Sequence, residues 1–404
     1  MTLHIRTSGK FWVCDMNFPE LYDFQREAVS HALNHNPDMI IVPTGEGKTI
    51  IALKIVDILK LPTIVVVPTI ELVKQWEKTI ISMGGKCTTY SSGSDREFSD
   101  FTVITYASML KYMDRIGRHY GLVIFDEVHH LFAEEYRKIG NEAISLGMKV
   151  IGLTASPRTM GEEELIQNRM FPYRYERTIR QRQNSDRAVD LKFHAIPITL
   201  SDDDLSRYKR YWETYVQSIR TYGGFRQMAS SGSGYGGYND GMVAYSHIKK
   251  LLTESDGKMR KAVEIVRNNP DGRFIIFMDT IKMVNALSKF LEMNGIKSVK
   301  IHAPKKGFEV QSRKKREMII QDLNEGNVRV LIGCNAIEEG LDLPEMDNAI
   351  FFSNFSSGSR KIIQRAGRTM RSLPGKEVRI YVLYAMDTKE EENLEGIKRI
   401  LGVD

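Results

Sequence analysis

A short aliphatic run, Met39-Ile40-Ile41-Val42, leads straight into Pro43-Thr44-Gly45-Glu46-Gly47-Lys48-Thr49, and a second apolar run, Ile50-Ile51-Ala52-Leu53, follows. The first run reads as a buried strand and the second as the apolar face of a helix. That strand–loop–helix setting is what a P-loop requires, and it ties the chain to an α/β fold. Backbone N–H groups of Thr44, Gly45, Glu46 and Gly47 and of the helix start can cradle phosphate oxygens. Lys48 is placed to reach β- and γ-phosphates, and the Thr49 hydroxyl to hold Mg²⁺. Val42 stands where the strict pattern has its first glycine. Without a nucleotide the same residues read as a glycine-rich turn. Far downstream, Gln364-Arg365-Ala366-Gly367-Arg368-Thr369-Met370-Arg371 carries arginines with no local acidic partner. The two segments are expected to form opposite walls of one nucleotide cleft.

At 404 residues the chain is long enough for two domains with separate cores. Its 42% hydrophobic and 27% charged residues describe a soluble globular protein. No run approaches the roughly 18 apolar residues of a membrane span, and Met1-Thr2-Leu3-His4-Ile5-Arg6 has no signal-peptide core. A net charge of +6 permits a polyanionic partner without requiring one. Cys14, Cys87 and Cys334 are far apart with no C-x-x-C pair, which argues against a disulfide framework or a four-cysteine cluster within the chain. An intracellular protein is expected, cytoplasmic and nucleoid-associated or nuclear.

Short aliphatic runs alternate with helical patterns in the first half. Strands are expected at Met39–Val42, Ile64–Val67, Val103–Thr105, Leu122–Phe125 and Val150–Leu153, as in a parallel sheet covered on both faces. Ligands of such sheets bind at the carboxyl ends of the strands, where the loop, Asp126 and Thr154 lie. The pattern returns at Phe274–Met278, Ser298–His302, Val328–Ile332, Ala349–Ser353 and Val378–Leu383. Between the two sets, Ser201 followed by Asp202-Asp203-Asp204 makes a helix start. Leu205, Tyr208, Trp212, Tyr215, Val216 and Ile219 continue it at helical spacing. A glycine-serine-tyrosine segment follows, and then a second helical stretch near Gly241–Thr253. The expected organisation is a first α/β domain over 1–195, a helical hairpin over 196–257 and a second α/β domain over 258–404.

Asp126-Glu127-Val128-His129-His130 directly follows the apolar Leu122–Phe125. Beside a P-loop, Asp126 would complete Mg²⁺ binding and Glu127 would orient or deprotonate an attacking water. His129 would couple that cluster to its neighbours. Without the P-loop the segment is an acidic strand end with two solvated histidines. Gln25 can pair both N6 and N7 of an adenine, or sit as an ordinary helix-face glutamine. Arg368 and Arg371, three apart on a helix, can face one cleft and neutralise phosphate charge. Gln364 would help position phosphate or water, and Gly340 and Asp342 would line the ribose side.

In their order these segments resemble the motifs of the superfamily 2 helicases of DExH type, and the resemblance covers nearly the whole chain. Gln25 matches the adenine-reading glutamine, Thr44–Thr49 motif I and Asp126–His129 motif II. Pro68-Thr69 with Leu72 and Gln75-Trp76 resembles motif Ia, and Thr105-Tyr106 the next nucleic-acid-contacting motif. Thr154-Ala155-Ser156 looks like motif III, which couples hydrolysis to the nucleic-acid side. Gly333–Pro344 resembles motif V and Gln364–Arg371 motif VI. Asp126-Glu127-Val128-His129-His130, Glu338–Pro344 and Ser357-Gly358-Ser359-Arg360 are similar to the XPB-like DNA helicases and translocases, especially their short archaeal forms. The resemblance implies two RecA-like parallel-sheet domains in tandem, with a thumb-like helical insert. It implies ATP hydrolysis with Mg²⁺, 3′–5′ movement on DNA, and a nuclease as a partner. RNA stays open as the substrate, as does a nucleotide-gated duplex-binding module that does not move.

Three departures qualify the match. The Arg-Glu-Asp element expected after motif III is replaced by Pro157-Arg158-Thr159-Met160-Gly161, and Thr154-Ala155-Ser156-Pro157 looks more like the Hef/Fanconi M branch. Cys334 stands in place of the usual motif V threonine. The short segment before Gln25 leaves a full N-terminal damage-recognition domain unexpected. The resemblance implies nucleic-acid contacts at Pro68, Thr69, Thr105, Tyr106 and Cys334, and coupling through His129, Thr154 and Ser156. Lys305-Lys306 and Arg313-Lys314-Lys315-Arg316 are either a phosphate-binding patch or a solvated face. The aromatic stripe of the insert is expected mainly as hairpin packing, with Tyr222–Tyr238 as a probing tip.

Overall fold

The computed structural model describes residues 16–43, 45–90, 99–116, 119–155, 157, 162–178, 181, 190–224, 228, 240–302, 313–334, 345–352 and 377–401. They divide into two compact units, one within Met1–Arg182 and one within Gln183–Glu338 and Asp342–Asp404.

The first unit is built on a parallel sheet of β1 (Asp38–Ile41), β2 (Thr63–Val67), β3 (Thr88–Tyr90), β4 (Phe101–Thr105), β5 (Leu122–Phe125), β6 (Lys149–Thr154) and β7 (Tyr173–Glu176). Their order is β3-β4-β2-β5-β6-β1-β7. Side chains alternate between faces along each strand. Ile40, Val65, Val103 and Ile124 enter one core, while Met39, Val66, Ile104 and Phe125 enter the other. Helices α1 (Asp23–Asn34), α2 (Lys48–Leu59) and α3 (Ile70–Ser82) cover the first core. Helices α4 (Tyr106–Ile116), α5 (Arg137–Ser145) and α6 (Glu162–Met170) cover the second. With both faces buried, each central strand must be aliphatic throughout, which is why those strands announce themselves in the sequence. The edge strands β3 and β7 do not. Tyr173-Arg174-Tyr175-Glu176 is largely exposed, yet it pairs with β1 from Asp38↔Tyr173 to Ile41↔Glu176.

The second unit carries a parallel sheet of β8 (Asp190–Ile198), β9 (Phe274–Phe277), β10 (Val299–His302), β11 (Val330–Cys334), β12 (Asn348–Phe351) and β13 (Glu377–Ala385), in the order β10-β11-β9-β12-β13-β8. The expected boundary at residue 195 is corrected here. β8 pairs with β13 along its whole length, from Asp190↔Glu377 to Ile198↔Ala385, so it belongs to the second sheet. It lies at the edge, its residues alternate in exposure and Pro197 interrupts it, so no continuous apolar run marks it.

After β8 come α7 (Asp202–Tyr222) and α8 (Asp240–Thr253), packed on each other as a hairpin. Ser201 caps α7 by accepting from Asp204 N at 3.2 Å. Tyr208, Ile248 and Leu252 are buried, with Leu205, Tyr211, Trp212 and Tyr215 around them. A Cβ on Gly241 would stand 2.3 Å from Ser218 Cβ, so only glycine lets the helices approach this closely. The remaining helices are α9 (Asp256–Asn268), α10 (Ile281–Met293), α11 (Arg313–Asn324) and α12 (Lys389–Leu401). Among the described residues no helix is long and apolar enough to cross a membrane.

Lys258, near the start of α9, is fully buried. Its Nζ donates to Phe352 O at 2.9 Å and to Glu390 Oε2 at 2.7 Å, and Glu390 Oε2 also accepts from Ala385 N at 2.9 Å. One ion pair thus ties the root of the hairpin to the ends of β12 and β13 and to α12. Removing one partner of a buried pair costs about 3–5 kcal/mol, because the other charge stays out of water. Lys258→Ala should therefore lower the chemical denaturation midpoint of this unit strongly. An unchanged midpoint would show that the pair contributes nothing to its stability.

Candidate nucleotide site

The site is assembled at the carboxyl ends of β1, β5 and β6. After β1 the chain turns through Gly45 at φ 86° and Gly47 at φ 80°, left-handed conformations in which a Cβ is crowded. Gly47 caps α2, whose first residue is Lys48, with Thr49 next to it. Thr44 lies outside the described residues. Gln25 is buried beneath the loop. Its Nε2 donates to Glu46 O at 2.9 Å and its Oε1 accepts from Tyr22 N at 3.1 Å. The amide expected on adenine is therefore engaged with the loop backbone and with the start of α1.

Glu46, expected among the nucleotide-binding residues, turns its side chain inward. It is fully buried and pairs with Arg177 Nε at 3.6 Å. The Arg177 guanidinium lies over the Phe24 ring, 3.8 Å from its centroid. The Glu46 N–H donates to Pro43 O at 3.3 Å, so its backbone is engaged within the loop as well. Arg177 was not anticipated from the sequence. It follows a polar edge strand, and its backbone N–H donates to Ile41 O at 2.8 Å, which brings it beside the loop. Its one trace in the sequence is a basic residue at the end of a short Tyr-Arg-Tyr-Glu segment.

Asp126 follows β5, with its N–H bonded to Val66 O at 2.9 Å. Its Oδ2 accepts from Trp76 Nε1 at 2.8 Å, its Oδ1 from Glu127 N at 2.9 Å, and its main-chain O from the Tyr106 hydroxyl at 3.1 Å. Burial first, and then the Glu127 carboxylate, push the Asp126 carboxyl up to about 6, against the pull of Lys48 and of the two hydrogen bonds to its oxygens. Glu127 is non-glycine at φ 45°, ψ 54°, a conformation costing about 1–2 kcal/mol. Its Oε2 is buried, accepts no hydrogen bond, and lies 3.5 Å from His129 Nδ1. The His129 and His130 rings are 4.6 Å apart. Thr154 is buried at the end of β6, and its carbonyl accepts from Val42 N at 3.1 Å. Asp126, Glu127, His129, Thr154 and the loop thus share one end of the sheet.

The residues expected on nucleic acid fare differently. Pro68 and Thr69 are half-buried, and the Thr69 hydroxyl caps α3 by accepting from Leu72 N at 3.3 Å. The Thr105 and Tyr106 side chains turn inward. The Thr105 hydroxyl is buried and engaged with Ser108 N and Ser108 Oγ, and the Tyr106 ring is buried with its hydroxyl on Asp126. Neither side chain is free to meet a strand. In the basic run, Arg316 donates to His302 O at 3.1 Å. In the hairpin, the Tyr208 hydroxyl accepts from Lys389 N at 2.8 Å, and Tyr211 stacks on His247 at 4.8 Å. Ser156, Gly340, Asp342, Gln364, Arg368 and Arg371 lie outside the described residues, as does the Cys334 side chain.

Two protein families match this chain. The type III restriction enzyme, res subunit family covers residues 18–159, and the helicase conserved C-terminal domain covers residues 257–372. The chain thus carries the paired domains of a helicase. The helicase is 29% identical over 360 residues to the DNA 3′–5′ translocase XPB2 of Sulfurisphaera tokodaii, covering 87% of this chain and 79% of that one. It is 24% identical to Rad25 of Halobacterium salinarum over 98% of its own length, but spans only 59% of that relative. In fold it is similar to the Hef helicase domain of Pyrococcus furiosus, with a TM-score of 0.59, 19% identity, and coverage of 94% of this chain and 98% of that one. The helicase is accordingly an ATP-hydrolysing enzyme that binds nucleic acid.

Gly47→Ala would place a Cβ 2.6 Å from Gln25 Nε2 in a left-handed conformation. Strain of about 1–2 kcal/mol corresponds to roughly tenfold in affinity. Binding of a fluorescent ADP analogue should weaken by about that factor. Unaltered affinity would mean that this turn does not shape the site.

Proposed function

We propose that this helicase is a DNA translocase or helicase of 3′–5′ polarity that couples ATP hydrolysis to movement along a strand. The observation that carries the reading is the convergence of Lys48, Asp126 and Glu127 at one end of the first sheet, with a Glu127 oxygen buried and unbonded. The similarity to XPB2 supports DNA as the substrate and 3′–5′ as the direction. A place in DNA repair and a separate nuclease partner belong to the same reading.

In this reading the loop N–H groups and Lys48 bind the β- and γ-phosphates, and Glu127 orients the attacking water and accepts its proton. Asp126 fits a hydrated Mg²⁺: each of its oxygens takes one hydrogen bond and keeps a lone pair. Thr49 and Asp126 would hold the ion, which when bound neutralises charge on the phosphate oxygens. Among the described residues no group of three or more His, Cys, Asp or Glu side chains gathers as a metal site. Arg368 and Arg371 are proposed to neutralise developing charge, with Gln364 positioning phosphate or water and Gly340 and Asp342 beside the ribose. His129, Thr154 and Ser156 are proposed to couple hydrolysis to the strand, which backbone groups near Pro68, Thr69, Thr105 and Cys334 would grip by its phosphates.

The test is ATPase activity across single-stranded DNA, duplex DNA and RNA at two salt concentrations, since phosphate contacts weaken steeply with salt. DNA should stimulate strongly, and Lys48→Ala or Glu127→Gln should abolish turnover. Arg368→Ala should lower kcat by about 10³-fold or more while ATP still binds. Greater stimulation by RNA would make this an RNA helicase. Hydrolysis surviving in both the Lys48 and Glu127 variants would refute the assignment of the site.

A further inference from the structure

Asp126 is held from both faces of the first sheet by helices that begin at the proposed strand-gripping segments. Thr69 caps α3, and α3 carries Trp76, which is 1% exposed and belongs to the core under α1–α3. Its indole N–H ends on the Asp126 carboxylate at 2.8 Å. Thr105 directly precedes α4 and accepts from Ser108 N, and α4 opens with Tyr106, which is 2% exposed and belongs to the core on the opposite face. Its hydroxyl ends on the Asp126 carbonyl at 3.1 Å. Asp126 Oδ1 in turn accepts from Glu127 N at 2.9 Å. Two buried hydrogen bonds therefore run to Asp126, one from the middle of α3 and one from the first residue of α4, and one more runs on to the residue placed as the base.

We propose that Trp76 and Tyr106 are positioning residues that transmit nucleic-acid binding to the hydrolytic pair Asp126–Glu127. The proposal rests on the functional reading above. A strand seated on the N-terminal ends of α3 and α4 fixes those helices against the sheet. The indole and phenol donors, rigid and shielded from water, then fix Asp126, and its bond to Glu127 N fixes the strained turn that aims the Glu127 carboxylate. Packing alone does not require the Tyr106 donor, because phenylalanine fills nearly the same space without it, whereas Trp76→Phe also removes buried ring volume. A purely structural role predicts a loss of stability when the donors are removed. A positioning role predicts that the response to DNA and to Mg²⁺ changes as well.

The experiment compares the parent with Trp76→Phe, Tyr106→Phe and the double variant in the full chain. ATPase is measured with and without single-stranded DNA, binding of a fluorescent ADP analogue across Mg²⁺ concentrations, and DNA affinity by anisotropy. Trp76→Phe should cut the DNA stimulation ratio about tenfold, as expected for a lost hydrogen bond to a charged group, and Tyr106→Phe about fivefold. The Mg²⁺ concentration that half-tightens the analogue should rise in Trp76→Phe, while DNA affinity stays at the parent's value. The double variant should fall short of the product of the two single effects, since both act through Asp126. Tyr106→Phe deletes a single oxygen and carries the same test should Trp76→Phe fail to fold. A DNA-stimulated parent whose ratio and Mg²⁺ response are unchanged in both variants would overturn this link alone. A parent that no nucleic acid stimulates would overturn it together with the functional reading.

Discussion

A carboxylate removed from water, Asp126 at the end of β5, sets the terms for the first unit. Burying an ionised carboxylate is costly unless donors and a cation surround it. Here two donors reach the carboxylate, an indole beneath one face of the sheet and the next peptide N–H, while a phenol beneath the other face holds the same residue's carbonyl. The cation is Lys48, at the start of the helix that follows β1. For all of them to converge, β5 must lie beside β2 and β6, and α2 must begin where the loop after β1 ends. The doubly covered sheet is the arrangement that meets this demand.

The same logic of inward-facing polar groups shapes the P-loop. Gln25 holds the Glu46 carbonyl, and Glu46 reaches Arg177 across the end of β7. The Glu46 N–H donates to Pro43 O, so this residue is tied into the loop through backbone and side chain alike. Arg177 is held by the Phe24 ring as well as by Glu46, so α1, the loop and β7 form one cluster. In the second unit, Lys258 and Glu390 play a comparable part. They fasten the root of the α7–α8 hairpin to the end of β12, the strand whose sequence leads on toward Gln364 and Arg368. In both units, a buried charge pair lies where an irregular segment joins the sheet.

The central strands were legible because burial on both faces demands unbroken aliphatic runs such as Thr63-Ile64-Val65-Val66-Val67. The helix start at Ser201 was legible because capping is a local matter of one hydroxyl and one N–H. The edges were not. β3, β7 and β8 each have a neighbour on one side only, tolerate polar residues, and are specified by the strand they meet far away in sequence. For the same reason the chain appeared to change domain at residue 195, whereas β8 answers to β13 nearly two hundred residues later. Among the candidate site residues, the meeting of Lys48, Asp126 and Glu127 at one end of the sheet followed from motif spacing. The orientation of Gln25, Glu46 and Tyr106 did not, since a motif fixes where a residue stands in the chain and not which of its atoms faces inward. Trp76 and Tyr106 stood in motifs associated with the strand, yet the fold turns both of them toward Asp126.

The left-handed turn at Glu127 shows why the site's most exacting residue can also be its least comfortable. Glycine would relax the backbone there but carry no carboxylate, and a glutamate in an ordinary strand conformation would extend β5 rather than turn off its end. The conformation persists because both sides of the turn are fixed. Asp126 N is bound to Val66 O before it, and His130 N is bound to Glu127 O after it, which closes the short helical turn Val128–Phe132. Strain of this kind survives only where its surroundings over-determine it. Packing of Val128, Leu131 and Phe132 into the second core supplies that determination. The aliphatic interior of the sheet thus does more than fold the unit. It holds a carboxylate in a pose that the same residues, free in solution, would rarely adopt.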